Sequence, residues 1–220
     1  MNAPDVARLV ALEGVDGAGK STQARRLAQT IGAVLTFEPG ATALGERLRE
    51  TLLDTGAPDA RPRAEALLMA ADRAQHVTEV IRPVLGAGQW VVTDRFSGST
   101  LAYQGFGRGL GVDGLRAVVE WATDGTEPDL VILVDVPLGV ARSRLAVTAP
   151  DRLEGLDEAF FSRVRDGYLA LAADDPSHWV VVDGDGPADE VAAVVFGAVV
   201  ERLGWEPATD GVEFGDAGSG

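Results

Sequence analysis

Cysteine is absent from the 220 residues, and lysine occurs once, at Lys20. Without cysteine there is no disulfide framework, no thiolate nucleophile and no cysteine-ligated zinc site. The same absence fits a cytoplasmic protein. Bases are scarce as a class: 19 stand against 34 acids, for a net charge of −15, and all but Lys20 are arginine. So acidic a chain does not coat nucleic acid, whose phosphates need a cationic surface, nor does it attach to anionic lipid. Long apolar runs are missing too: residues 130–134 and 191–195 fall far short of the roughly 20 residues of a membrane span. The first seven residues carry Asp5 and no basic stretch, unlike a secretory signal. Any anion this chain handles must be held by a few local cations against a repulsive overall field.

What is present is enough for a large core, with 46% hydrophobic residues. Short apolar or β-branched runs at 8–12, 34–37, 90–93, 130–136 and 178–182 read as strands. They are continuous rather than alternating, as expected for strands buried on both faces of a parallel sheet. Segments of helical period lie between them, at 20–31, 42–54, 63–85, 114–123, 138–146, 156–172 and 188–203. The alternation predicts a doubly wound α/β domain over 1–204. Residues 55–62 and 148–151 read as loops. Residues 205–220 hold four acids, no base and several glycines, and read as a disordered tail.

The sharpest motif is Gly14-Val15-Asp16-Gly17-Ala18-Gly19-Lys20-Ser21, followed by Thr22. It matches G-x-x-x-x-G-K-[ST] in full, directly after an apolar strand and directly before an amphipathic helix. Glycines let successive N–H groups point inward at phosphate oxygens. The helix N-terminus adds partial positive charge. The pattern assigns Lys20 to the β/γ-phosphates and Ser21 to Mg²⁺. At the end of the 90–93 strand, Asp94 is placed to hold a metal shell or a proton, and Arg95 to clamp a phosphate. Met69 and Arg73, four apart, share a helical face suited to a base and its edge. Glu38-Pro39-Gly40 forms a turn, with Thr42 as a helix cap. Ser99-Thr100-Leu101-Ala102-Tyr103-Gln104-Gly105 offers hydroxyl, phenol and amide groups in sequence, to line a pocket or to cap and pack a helix. His76 and His178 are assigned to the surface or to packing.

Together these segments resemble the thymidylate kinases, P-loop enzymes that phosphorylate dTMP to dTDP with ATP. The carrying residues are Glu13 through Thr22, Glu38-Pro39-Gly40, Arg73, Asp94-Arg95-Phe96, Ala102-Tyr103-Gln104-Gly105 and Pro128-Asp129-Leu130 leading into Leu133-Val134-Asp135-Val136. The resemblance implies a P-loop NTPase fold with a five-stranded parallel sheet, helices on both faces, a short lid, Mg²⁺ dependence and a homodimer. It implies Arg95 at the dTMP phosphate, Arg73 at the thymine edge, and Asp16 beside the acceptor sugar and metal waters. Thr100, Tyr103 and Gln104 would receive the deoxynucleotide, with Arg49 as a second phosphate contact. Met69 stands where many relatives stack an aromatic ring on thymine. Position 17 is glycine, so the loop supplies no catalytic arginine. The lid over 142–152 offers Arg142, Arg144 and Arg152 instead; Arg144 is carried with Lys20, Asp16 and Arg95 as catalytic. Two alternatives remain open: another nucleoside or nucleoside monophosphate kinase with looser base selectivity, and a nucleotide-binding regulator with weak transfer.

Overall fold

The computed structural model describes residues 6–56, 60–145, 152 and 156–206. Its sheet contains β1 (Leu9–Glu13), β2 (Val34–Phe37), β3 (Val91–Asp94), β4 (Leu130–Asp135) and β5 (Trp179–Asp183). All neighbours pair in parallel, in the order β2-β3-β1-β4-β5. The five expected strands are all present. β1, β3 and β5 each sit one residue later than expected, and β4 stops one residue before 136. For β1, β3 and β5 the reason is chemical: each ends on an acid beyond its apolar run, whereas β4 ends where its pairing with β5 stops, at Asp135. An acidic side chain closes an apolar run but not a backbone ladder, which continues through Leu12↔Asp94, Glu13↔Leu133 and Asp135↔Asp183.

Alternate strand residues face opposite layers. Val10, Leu12, Val92, Leu130, Ile132 and Val182 pack on α1 (Lys20–Ile31) and α8 (Ala188–Leu203) through Ala24, Leu27, Val191, Val195 and Val199. Leu9, Ala11, Val91 and Val131 meet Val77, Ile81 and Phe96 on the other side. That second layer holds the long helix α3, which runs Pro62–His76, widens through a π-helical stretch Val77–Ile81 and continues as Arg82–Gly86. Pro83 has no N–H for the Glu79 carbonyl, and the widened turn stands immediately before it. Next come α5 (Asp113–Thr123) and α7 (Glu158–Asp174). The expected helix start at 156 is corrected to 158, because Asp157 caps α7 by accepting the Phe160 N–H at 2.7 Å. Likewise α2 (Ala43–Leu53) starts behind Thr42, whose Oγ1 accepts the Gly45 N–H at 3.0 Å.

One helix was not among those expected. α4 runs Ser97–Thr100 and continues as a π-helical stretch Leu101–Gly107. It contains Gly98, Gly105 and Gly107, is mostly buried, and so shows no amphipathic period. α6 (Leu138–Leu145) follows β4. Most of the expected lid, at 146–151, lies outside the described residues, as does the tail from 207 onward. Trp205, at the head of the expected tail, packs edge-on against Phe196 of α8, with ring centroids 5.4 Å apart. Among the described residues, no helix is long and apolar enough to cross a membrane.

Candidate active site

Ligands of open parallel sheets bind beyond the carboxyl ends of the strands. There the loop between β1 and α1 turns through three glycines with positive φ: Gly14 (146°), Gly17 (81°) and Gly19 (95°). A Cβ at Gly17 would stand 2.2 Å from the Ala141 carbonyl oxygen, so this loop conformation admits no side chain there. Among the described residues, the N–H groups of Gly17, Gly19, Lys20 and Ser21 have no hydrogen-bond acceptor. They form a cluster of unpaired donors at the start of α1, suited to an anion. Lys20 is almost fully buried, its Nζ 3.3 Å from Asp16 Oδ1 and 3.4 Å from the Val15 carbonyl.

Asp16 also binds Arg95. The Arg95 guanidinium donates through Nη2 to Asp16 Oδ1, and Tyr103 donates to Asp16 Oδ2 at 2.7 Å. Burial alone would raise the Asp16 pKa, but the charges of Arg95 and Lys20 and the Tyr103 hydrogen bond outweigh it and hold the carboxyl well below its usual range. Arg95 reaches this position from a left-handed backbone, φ 74°. Such a conformation costs a non-glycine residue about 1–2 kcal/mol. It is over-determined by its neighbours: Arg95 N–H donates to the Leu12 carbonyl at 2.9 Å, and Thr93 Oγ1 donates to the Arg95 carbonyl at 2.8 Å. The turn sends the side chain from the end of β3 back toward the phosphate loop. Its Nη1 contacts the Gly14 carbonyl, Ser99 and Tyr168, and the guanidinium lies 5.1 Å from the centre of the Tyr103 ring.

Asp16, Lys20, Ser21, Asp94 and Arg95 line one cavity of about 510 Å³, together with Arg49, Met69, Arg73, Thr100, Tyr103 and Gln104. The acceptor-side residues singled out in the sequence therefore converge. Ser99, Glu38 and Pro39, named in the sequence only as parts of motifs, line the same cavity, and Phe37, Leu53 and Asp72 line it without having been singled out. Arg73 is buried and well supplied: Nε donates to Glu38 at 2.9 Å, Nη1 to Thr100 at 2.9 Å and Nη2 to the Phe96 carbonyl at 2.9 Å. The other Glu38 oxygen meets His76 Nδ1 at 2.9 Å, and His76 Nε2 meets Thr36 at 2.7 Å. His76 is thus a fully buried member of the polar network behind the cavity, while His178 is exposed. Gln104 gives its amide N–H to Glu65, which also holds Arg108 through both carboxylate oxygens. Arg49 donates to the Pro39 carbonyl at 2.8 Å.

Ser21 and Asp94 supply hard oxygen donors to the cavity, and Asp94 Oδ1 is buried without a hydrogen-bond partner. An orphaned carboxylate oxygen and a serine hydroxyl lining one cavity fit Mg²⁺. Among the described residues, no three acids, histidines or cysteines cluster to hold a metal unaided. Nucleotide phosphates complete such sites in phosphoryl-transfer enzymes.

The arginines of the lid region lie elsewhere. Arg144 bridges the phosphate loop to the loop after β5, through the Ala18 carbonyl at 3.3 Å and the Gly184 carbonyl at 3.0 Å. Arg142 pairs with Glu158 at the surface. Arg152 donates to the Leu52 carbonyl at 2.8 Å and stands 3.8 Å from Glu65. None of the three lines the cavity.

The sequence matches the family described as thymidylate kinase over residues 12–195. The chain belongs to the thymidylate kinase family. It is similar to the thymidylate kinase of Desulforudis audaxviator, 43% identical over 216 residues that cover 96% of this chain and 98% of that one. It is 47% identical to the thymidylate kinase of Desulfovibrio desulfuricans over 88% of this chain and 95% of that one. Against the thymidylate kinase of Bifidobacterium longum the identity is 46%, over 87% and 97%. The phosphate loop, the Asp94-Arg95 turn and α4 all fall inside the span matched to the thymidylate kinase family.

Proposed function

We propose that this protein transfers the γ-phosphate of ATP to dTMP, giving dTDP for dTTP synthesis. The observation that carries the reading is the convergence of Lys20 and Arg95 on Asp16 Oδ1, a donor-side and an acceptor-side cation held on one carboxylate oxygen in the cavity. Relatives named thymidylate kinase support the choice of acceptor.

The open N–H groups of the loop receive the phosphates of ATP, and Lys20 leaves Asp16 for the β/γ-phosphates. Arg95, with Arg49 from the lining of the same cavity, clamps the phosphate of dTMP. Thymine lies against Met69, read by Arg73, Thr100 and Gln104, while Tyr103 and Asp16 face the sugar. The acceptor phosphate is already anionic near neutral pH, so no strong base is needed. One of its oxygens attacks the γ-phosphorus, the bond to the β,γ-bridging oxygen breaks, and ADP leaves. Catalysis is then positioning and charge neutralisation. Ser21 and Asp94 would hold Mg²⁺, which neutralises charge on the transferring phosphates. Arg144, already bonded to the loop carbonyl of Ala18, is the lid-region arginine we assign to the donor side. We further assign a homodimer and a cytoplasmic location.

ADP release from ATP tests this with dTMP, dUMP, dCMP, dGMP and dAMP in parallel. Strong stimulation by dTMP alone is expected, with turnover lost by at least about 100-fold in a folded Lys20→Ala variant. Release without acceptor dependence, or near-normal turnover by that variant, overturns the assignment.

A further inference from the structure

Glu13 closes β1 and is fully buried directly behind Arg95. Its Oε1 accepts the N–H groups of Phe96 at 2.9 Å and Ser99 at 3.0 Å at the start of α4, the latter shared with the Phe96 carbonyl at 3.1 Å. Its Oε2 accepts from Ser99 Oγ at 2.6 Å and Tyr168 OH at 3.0 Å. The same two hydroxyls meet Arg95 Nη1, at 2.9 and 3.2 Å.

Hydrogen-bond polarity constrains this cluster. A guanidinium nitrogen only donates, and each hydroxyl has a single proton. Arg95 Nη1 has two protons for three acceptors, the Gly14 carbonyl at 3.2 Å and the two hydroxyls, and a hydroxyl that accepts from it must send its own proton elsewhere. The two hydroxyls are 2.8 Å apart, so one can donate to the other, but the remaining proton must still leave the pair. The acceptor within reach is Glu13 Oε2. We infer that Glu13 is a positioning residue for Arg95: its carboxylate draws the hydroxyl protons of Ser99 and Tyr168, turning their lone pairs toward the guanidinium. The inference rests on the reading of Arg95 as the clamp on the acceptor phosphate.

Glu13→Gln is the informative variant. The backbone donors of Phe96 and Ser99 require an oxygen, so the amide nitrogen must face the hydroxyls. A donor then stands where an acceptor is needed, and a hydroxyl proton is turned back on Arg95. Hydrogen bonds to charged groups set the scale: KM for dTMP should rise about tenfold. KM for ATP should stay within about twofold, because Lys20 and the loop amides are untouched. In a Ser99→Ala, Tyr168→Phe background, adding Glu13→Gln should change KM for dTMP little, because the hydroxyls through which it acts are gone. An unchanged acceptor KM in folded Glu13→Gln, or full additivity with the hydroxyl deletions, overturns the inference. If Glu13→Gln fails to fold, the Ser99→Ala, Tyr168→Phe pair decides, since its acceptor KM must rise. Should the wild-type protein not phosphorylate dTMP, the functional reading fails separately. Ligand-free crystal structures then test the wiring alone: Arg95 Nη1 must leave the hydroxyls in Glu13→Gln, and its retention there overturns the inference.

Discussion

Asp72 illustrates what a single buried carboxylate costs. Burial, then the charge of Glu38, raises its pKa from 3.8 to about 6, against the Gly40 N–H bond and the charges of His76 and Arg73. Between those two values the folded state binds more protons than the unfolded one. Stability contributed by this site therefore falls as pH rises from about 4 through about 6, then levels. Asp72→Asn keeps an oxygen for the Gly40 N–H, now at 3.0 Å from Oδ1, and removes the ionisation. Its stability relative to wild type should be near parity at pH 4 and clearly higher at pH 7.5. Urea midpoints at the two pH values measure this; a pH-independent difference would refute it. Residues such as Asp72 were out of reach of sequence reading because nothing local marks them. Lys20, Asp16 and Arg95 were legible because a contiguous loop and a strand-end turn carry their chemistry. Glu65 and His76 act through partners some 40 residues away or more, so neither spacing nor periodicity exposed them.

Strands were legible wherever an apolar or β-branched run marked them, including β2 and β5, which are half-exposed at the sheet edges. β1 is buried along its whole length and reads as one apolar run. α4 did not read as a helix, because its N-terminal amides are capped by Glu13 from another strand and its glycines lower local propensity. Those glycines have a packing reason. A Cβ at Gly107 would stand 2.7 Å from the Phe160 ring, and one at Gly167 would stand 2.6 Å from Cγ of Phe106. Each helix of the α4–α7 pair thus offers a glycine to the other's aromatic ring. Gly167→Ala should lose about 1–2 kcal/mol, overpacking outweighing the gain in helix propensity. Gly197, exposed in mid-α8, is the counterpart: a Cβ there would meet nothing within 4 Å. Gly197→Ala should gain up to about 1 kcal/mol. Chemical denaturation of both variants checks the contrast; similar effects at the two positions would mean the close approach does not govern the first.

At the scale of the molecule, the charge of −15 and the anionic substrates of the proposed reaction pull in opposite directions. The fold resolves this by distance. Arg95 and Lys20 both meet Asp16 Oδ1 and line one cavity, largely buried, while ion pairs such as Arg142 with Glu158 and Arg116 with Asp174 lie at the surface. The attraction is short-ranged and partly buried, so salt screens it weakly. The repulsion is long-ranged and crosses water, so salt screens it well. The screening length falls from about 30 Å at 0.01 M salt to about 8 Å at 0.15 M. At the lower salt an approaching nucleotide feels the whole acidic surface; at the higher it feels mainly the site. Electrostatically steered enzymes lose association rate as salt is added. This one should do the reverse: kcat/KM for dTMP should rise between those two ionic strengths at fixed free Mg²⁺, with kcat nearly constant. Steady-state kinetics across that range decides the point. A monotonic fall would mean that local cations already dominate the field at a distance, and that the acidic surface is irrelevant to capture.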